Sequence, residues 1–161
     1  QLKDGLDCYS QGIHNLANTP IEMIELNYPL RLTRYELLPD TGGAGRTRGG
    51  LGVRRDIEFL DKSGSLETQF DKFKVEPFGL FGGKPGATGK LYMNPETPDQ
   101  KELRSKTFGY PLKRGDVFSM RTQGGGGYGS PSERQKDAIE RDIREGKLTE
   151  ARAKTDYEGG H

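Results

Sequence analysis

The 161-residue chain has no tryptophan, a single cysteine, Cys8, and two histidines, His14 and His161. A lone cysteine cannot form an internal disulfide, and two histidines leave a Cys/His zinc site short of ligands. These absences point to a reducing, cytoplasmic setting. Apolar bulk is scarce as well: Leu, Ile, Val and Phe total 32 residues, about a fifth of the chain, at the edge of what folds unaided. No run of about 18 apolar residues exists, which excludes a membrane-spanning helix, and no basic-then-apolar secretory leader opens the chain. An excess of one charge sign is also missing, with 25 Lys and Arg against 24 Asp and Glu. The net +1 avoids the self-repulsion of disordered chains and provides no broad basic surface for a nucleic acid. The first residue is Gln1 rather than Met, so the expectation is a processed, trimmed or cut polypeptide.

Glycine and proline are abundant, at 24 and 9 residues. So many turn formers exclude an all-helical bundle. Thr19-Pro20-Ile21-Glu22 has the spacing of a capping box and predicts a short helix from about Pro20 to Leu26, ended by Tyr28-Pro29. Leu30–Leu38 alternates as a strand, with Leu30 and Leu32 expected on one face and Tyr35 and Leu37 on the other. A second strand is predicted at Leu51–Leu60, with Val53, Ile57 and Phe59 sharing a face that Arg55 interrupts. The turn Asp61–Gly64 predicts that this strand forms a hairpin with Glu67–Val75. Further short strands are expected at Lys90–Met93, Leu103–Phe108 and Asp116–Thr122. Ser130-Pro131-Ser132-Glu133 repeats the capping pattern before a helix of about Pro131–Glu145. Its narrow stripe of Ala138, Ile139 and Ile143 suits a surface, Gly146 should stop it, and a second short helix should follow Thr149.

The rhythm predicts a mainly β fold: an antiparallel β-sandwich or barrel-like sheet with Gly-rich loops, a short amino-terminal helix and a carboxy-terminal surface helix. It divides the chain into an irregular lead-in at 1–18, a β-rich domain at 19–129 and a carboxy-terminal helical segment at 130–161.

Three glycine-rich loops are the candidate functional segments. Gly42–Gly52 and the residues after it carry Arg46, Arg48, Arg54 and Arg55 with no acid between Asp40 and Asp56, a local +4 that could take an anion. The structural alternative is glycine turns whose arginines meet carboxylates of a neighbouring chain. An arginine-glycine RNA-binding segment fits poorly, since Arg48-Gly49-Gly50 occurs once without interleaved aromatics. Gly79–Lys90 contains Gly82-Gly83-Lys84, yet Pro85 stands where a P-loop needs Ser or Thr, so a bulged β connection is the better reading and Lys84 an interface candidate. Gly124–Gly127, followed by Tyr128 and Gly129, leads into a helix start without a basic residue, which favours close backbone packing over ligand binding. Cys8 and His14 are the nearest approach to a nucleophile and base, in a loose part of the chain. No complete catalytic group and no metal-ligand set emerges from the residues.

The segments Asn18–Glu22, Leu38–Gly45, Arg48–Val53, Gly79–Gly86, Gly124–Gly129 and Glu140–Gly146 resemble, in order, the hydantoinase B/oxoprolinase family. The likeness covers the carboxy-terminal part of a B-type subunit. It implies a share in an ATP-dependent assembly that acts on a hydantoin, 5-oxoproline or lactam ring through a phosphorylated intermediate, or that carboxylates a ketone such as acetone. The extra small chains of the carboxylases tilt the choice slightly toward them. The implied partners are an A-type ATP-binding subunit and the remainder of a B-type subunit in a hetero-oligomer, with ATP and a divalent metal held there and no cofactor on this chain. Arg46, Arg48, Arg54, Arg55, Lys84 and Tyr128 are then docking-surface residues, and the chain alone should be poorly soluble or partly unfolded. The competing expectation is a stand-alone module that binds an anion or a protein through the Arg-rich glycine loop.

Overall fold

The computed structural model describes residues 3–9 and 17–158. Helix α1 (Ile21–Asn27) is capped by Pro20 without any side-chain hydrogen bond, and Tyr28, extended ahead of Pro29, ends it. The expected Thr19 capping box does not form: the helix starts one residue late, so Glu22 falls at its second position. Strand β1 (Leu30–Leu38) runs antiparallel to β2 (Gly52–Phe59), which also pairs with β7 (Val117–Arg121). Beyond β7 lie β4 (Lys90–Met93) and the two-residue β5 (Lys101–Glu102), giving an antiparallel sheet of order β1-β2-β7-β4-β5. Strands β3 (Ser63–Gln69) and β6 (Lys106–Lys113) form a second, two-stranded sheet. The molecule is thus mainly antiparallel β, as the sequence predicts.

Two strand expectations are corrected by the pairing. The register slips between Leu32 and Arg34, a bulge at Thr33 that inserts one extra residue into β1. Leu30, Leu32, Tyr35 and Leu37 therefore oppose Phe59, Ile57, Arg55 and Val53 in turn and share one face instead of two. The predicted hairpin of Leu51–Leu60 with Glu67–Val75 is absent, because both edges of β2 are already filled by β1 and β7. Past Asp61 the chain folds over the sheet, and Gly64 lies so close to the Phe59 ring that a Cβ would sit 2.6 Å from Cζ. Glycine is the residue that lets β3 cross there.

The strand alternation then sorts the five-stranded sheet into two unlike faces. Phe59, Leu91, Met93, Phe118 and Met120 point toward the β3–β6 layer and meet Leu66 and Leu112 in the core, with Leu103 beside them. The opposite face carries Arg34, Arg54, Asp56, Glu58 and Arg121.

A second interior is built from backbone. The three glycine loops converge: the Gly43 amide donates to Gly125 O (2.8 Å), Lys84 N to Ala44 O (2.7 Å), Gly127 N to Lys84 O (2.9 Å), Gly125 N to Gly50 O (2.8 Å) and Ala87 N to Thr41 O (2.8 Å). Tyr128 is bridged on both sides, antiparallel to Thr47 and parallel to Leu80. A Cβ on Gly43 would lie 2.7 Å from Gly127 N and 2.8 Å from the Pro85 carbonyl carbon, so the loops pack closer than any side chain allows.

After the glycines the chain makes a 3-10 turn at Pro131–Glu133, breaks at Arg134, and resumes as α2 (Lys136–Arg144), a short α3 (Glu150–Ala153) and a π-helical turn at Lys154–Glu158. The expected single helix from Pro131 is interrupted because Arg134 turns extended, at φ −72° and ψ 132°, to bury its guanidinium. Ser130 caps nothing with its side chain and instead shares a hydrogen bond with Ser132. Gly146, at φ +68°, ends the region of α2 in the left-handed conformation the sequence implies. Thr149 caps α3 by accepting from Arg152 N (3.2 Å). No helix among the described residues is long and apolar enough to cross a membrane.

A methyl group placed between the loops tests the backbone interior. A Cβ at Gly127 would collide with the Ala44 carbonyl and come within 2.7 Å of Gly43 O, whereas at Gly125 the nearest atom, Gly50 N, is 3.1 Å away. Gly127→Ala is expected to cost more than about 3 kcal/mol, beyond the usual range for overpacking, and Gly125→Ala clearly less. Urea unfolding of the two variants measures the difference.

Candidate functional site

The glycine core is the platform from which the candidate side chains project. Arg46, carried by the first loop, is about 42% exposed, pairs with Glu133 (3.3 Å) and lies over the Tyr128 ring (5.9 Å to the centroid). The same ring meets Phe81 at 5.0 Å. Lys84, also partly exposed, pairs with the buried Asp156 (3.0 Å), which Arg152 holds from the other side (2.7 Å). Arg46, Tyr128 and Lys84 thus belong to the glycine platform, each leaning on the carboxy-terminal segment or on another loop.

Arg48 leaves that surface and is buried. Its guanidinium faces Asp7 (3.2 Å) and Asp142 (3.4 Å), while Asp142 also accepts from Arg134 (2.6 Å). Arg134 is bound in addition by both oxygens of Asp4, at 2.7 and 3.0 Å, and its guanidinium lies over the Tyr157 ring. Asp4 further accepts from the Arg48 amide (2.7 Å) and Asp7 from the Leu51 amide (2.9 Å). Residues 3–9 are in this way clamped between the first glycine loop and α2. Burial would raise the Asp4 carboxyl, but the hydrogen bond from Arg134, the one from the Arg48 amide and the two guanidinium charges outweigh it and hold that carboxyl below its ordinary value.

Arg54 and Arg55 point to opposite faces of β2. Arg55 packs on the Tyr35 ring (4.4 Å) and donates to its hydroxyl (2.7 Å). Arg54 is buried on the charged face, where Nε and Nη2 grip Asp56 at 2.6–3.0 Å and Nη1 reaches Glu96. Burial opposes the Asp56 charge, yet the hydrogen bond and charge of Arg54 hold its carboxyl below the usual range; the Arg54 hydrogen bond does the same for Glu96. The four arginines therefore do not converge on one anion. Three of the four, Arg46, Arg48 and Arg54, are answered by carboxylates of this chain itself, from positions 133, 7, 142, 56 and 96, whereas Arg55 meets Asn18 and Tyr35 instead.

Asp4, Asp7, Arg134 and Asp142 escape the sequence reading, because acids alternating with bases look like a solvated surface. One signal was present: Asp142 falls on the helical face of Ala138, Ile139 and Ile143, and a carboxylate inside an apolar stripe calls for a buried partner. Cys8 is exposed, and burial of its thiol together with the charge of Asp7 pushes its pKa up, the opposite of an activated nucleophile. His14, its suggested partner, lies outside the described residues. No group of three or more His, Cys, Asp or Glu able to hold a metal ion occurs among the described residues. Two shallow depressions border the site, one of about 670 Å³ beside Asp4, Arg46, Glu133 and Arg134, the other of about 590 Å³ beside Arg34, Arg54 and Glu96.

Removing Asp142 would leave two guanidinium groups buried without their shared partner, and Asp142→Ala is expected to cost about 3–5 kcal/mol in denaturant unfolding. The depressed Asp4 carboxyl contributes stability that is complete above the unfolded-state value of about 4 and disappears as pH falls through the lower folded value. Asp4→Asn should accordingly flatten the decline in stability below about pH 4 that the parent chain shows in melts at stepped pH.

Residues 1–131 match the family described as Hydantoinase B/oxoprolinase. A protein of Pseudomonas sp. (strain NS671), named as the B component of a D-/L-hydantoinase, is 36% identical over 156 residues, 96% of this chain and 26% of its own length. The crystal structure of an ATP-dependent caprolactamase from Pseudomonas jessenii superposes with a TM-score of 0.77 at 28% identity, covering 86% of this chain and 24% of that one. A nucleotide-free acetone carboxylase structure shares the fold, with a TM-score of 0.71 at 22% identity over 86% of this chain and 22% of its own. The chain spans about a quarter of the length of these proteins. With its glycine loops and its strands all lying within the matched residues, the chain belongs to the hydantoinase B/oxoprolinase family.

Proposed function

We propose that this chain is a scaffold module of the B-type subunit, as its carboxy-terminal part or as a separate small subunit, in a cytoplasmic ATP-dependent assembly that opens cyclic amides. The observation that carries this reading is the internal satisfaction of the loops. Their amides and carbonyls bond to one another and their arginines to carboxylates of the same chain, so the platform offers rigidity rather than a reacting group. Rigid presentation is what positioning a substrate requires. An A-type ATP-binding subunit and the remainder of a B-type subunit are the expected companions, and ATP and a divalent metal belong with them.

The exposed apolar tip of the second glycine loop supports a covered surface. Phe78, Leu80 and Phe81 are 73%, 50% and 76% exposed, and the turn is pinned by Leu80 N to Gly127 O and Gly129 N to Leu80 O, both 2.9 Å. Phe81 holds φ +52°, a conformation that a large side chain adopts at a cost. Covering such a tip with the amino-terminal remainder of the subunit removes apolar surface from water at roughly 25 cal/mol per Å². Ring opening is preferred over ketone carboxylation because the hydantoinase-named relative and the caprolactamase share more sequence with the chain than the carboxylase, whose 22% identity speaks for the fold alone.

The test is reconstitution. The chain alone is expected to show no cyclic-amide-dependent ATP hydrolysis, and the assembly with A-type and B-type companions to show it with hydantoin, 5-oxoproline or caprolactam. Turnover by the chain alone, or an assembly that carboxylates a ketone and leaves every cyclic amide intact, would overturn the reading. Phe81→Ser should weaken retention of the module in the assembly by about tenfold, the equivalent of losing one buried aromatic contact.

A further inference from the structure

The face of the five-stranded sheet turned away from the β3–β6 layer gathers three arginines around one carboxylate that reaches them from outside the sheet. Arg34 on β1, Arg54 on β2 and Arg121 on β7 share that face, and Arg54 lies directly opposite Arg121 across the β2–β7 pair. Like charges placed so repel each other. Asp56 is already gripped by Arg54, and Glu36 on the same face stands 3.7 Å from Arg34 Nη1, which leaves one positive charge of the three to be met from elsewhere. It is met by Glu96, in the connection between β4 and β5. Its Oε1 accepts from Arg54 and from Arg34 (3.2 Å) and stands 3.9 Å from Arg121 Nη2.

Glu96 occupies this position as a visitor would. Its side chain is 56% exposed, and its backbone and that of Asn94 hold φ +62° and +48°. The Nε atom of Arg121 is buried without a hydrogen-bond partner among the described residues, and its guanidinium lies over the Tyr92 ring, 4.8 Å from the centroid. The depression of about 590 Å³ is lined by Arg34, Arg54 and Glu96, with Arg121 behind Glu96 rather than in its wall, and opens between the β4–β5 connection and the β6–β7 turn. That volume falls within the usual range of small-molecule sites, about 300–1,000 Å³. Lys113 and Arg114 add positive charge to its wall. Of its other acids, Asp116 is engaged by the Lys113 amide and Asn94, while Asp99 lies on the β4–β5 connection.

We propose that Arg34, Arg54 and Arg121 form a binding site for the carboxylate of a small organic acid, and that Glu96 fills it as an internal stand-in when the ligand is absent. The exchange conserves charge: the incoming carboxylate takes over the guanidinium donors, and the Glu96 carboxylate swings into water. A tethered carboxylate competes at an effective concentration in the millimolar range, which masks the site toward dilute free acids. The inference stands on this sheet face alone and does not depend on the reading of the glycine platform.

Glutarate is the probe, titrated into the chain at low ionic strength and followed by calorimetry. Glu96→Gln should bind glutarate at least about tenfold more tightly than the parent chain, since the internal competitor is gone, and Arg34→Ala in that background should lose the gain. A Glu96→Gln variant no tighter than the parent, a double variant that still binds, or an acidic peptide that binds where glutarate does not would each overturn the proposal. Should Glu96→Gln fail to fold, the thermal midpoint of the parent chain is read instead. It should rise with glutarate supplied well above the millimolar range of the internal competitor and stay unmoved in Arg34→Ala, whose exposed ion pairs contribute little to folding; a parent midpoint that glutarate at that concentration leaves unchanged would refute the site.

Discussion

Everything in this structure leans on the contact of backbone with backbone among three glycine loops that are far apart in the chain. Where the Gly43 amide meets Gly125 O and the Gly127 amide meets Lys84 O, no Cβ intervenes, and peptide groups supply one another's hydrogen bonds inside the protein. An ordinary core gains its stability by removing apolar side chains from water. This one gains part of it from satisfied peptide groups held at close range, and unpaired groups in the same place would be costly. That is how a chain with so little aliphatic bulk sustains an interior: Leu91, Met93 and Phe59 provide a small conventional core between the sheets, and the glycine loops provide a second of a different kind.

The ion pairs around the loops follow from the same geometry. Loops without side chains leave room beside them, and Arg48 and Arg134 fill it from two directions, joined through Asp142. Buried guanidinium groups require several acceptors each, and Asp4 and Asp7 supply them from the first described segment. The amino-terminal residues, the first loop and α2 are thereby one electrostatic unit. The break at Arg134 is the visible consequence, because a continuous helix from Pro131 would carry that side chain away from Asp4 and Asp142.

The five-stranded sheet adds a division of labour. Its apolar face is closed by β3 and β6, while on its charged face the β4–β5 connection lies across the arginines, with Arg54 and Asp56 buried. The glycine platform and the charged face are distinct surfaces, linked through β2, whose first residues leave the loop and whose middle supplies Arg54 and Asp56. The chain therefore carries two distinct surfaces, one rigid and largely neutralised, the other rich in guanidinium donors.

Local pattern was sufficient wherever a residue's fate depends on near neighbours. The extent of the strand Leu30–Leu38, the short strand at Lys90–Met93, the stop at Gly146 and the short helix after Thr149 were all readable, since each reflects backbone preferences within one or two turns. The Gly124–Gly127 run could be marked as close-packing, and the order of the glycine segments pointed to the family. What could not be read was which loop meets which: the bulge at Thr33, the departure of β3 from the sheet, and the assignment of Arg48 to Asp142 and Arg54 to Asp56. Those outcomes turn on groups brought together across dozens of intervening residues, where charge alternation along the chain carries no information about burial. Composition and pattern by themselves determined a β-rich, glycine-bound chain with a thin apolar core; tertiary structure alone decided that Arg46, Arg48 and Arg54 would meet carboxylates of the same chain, because only folding sets the distance between a guanidinium and the carboxylate that answers it.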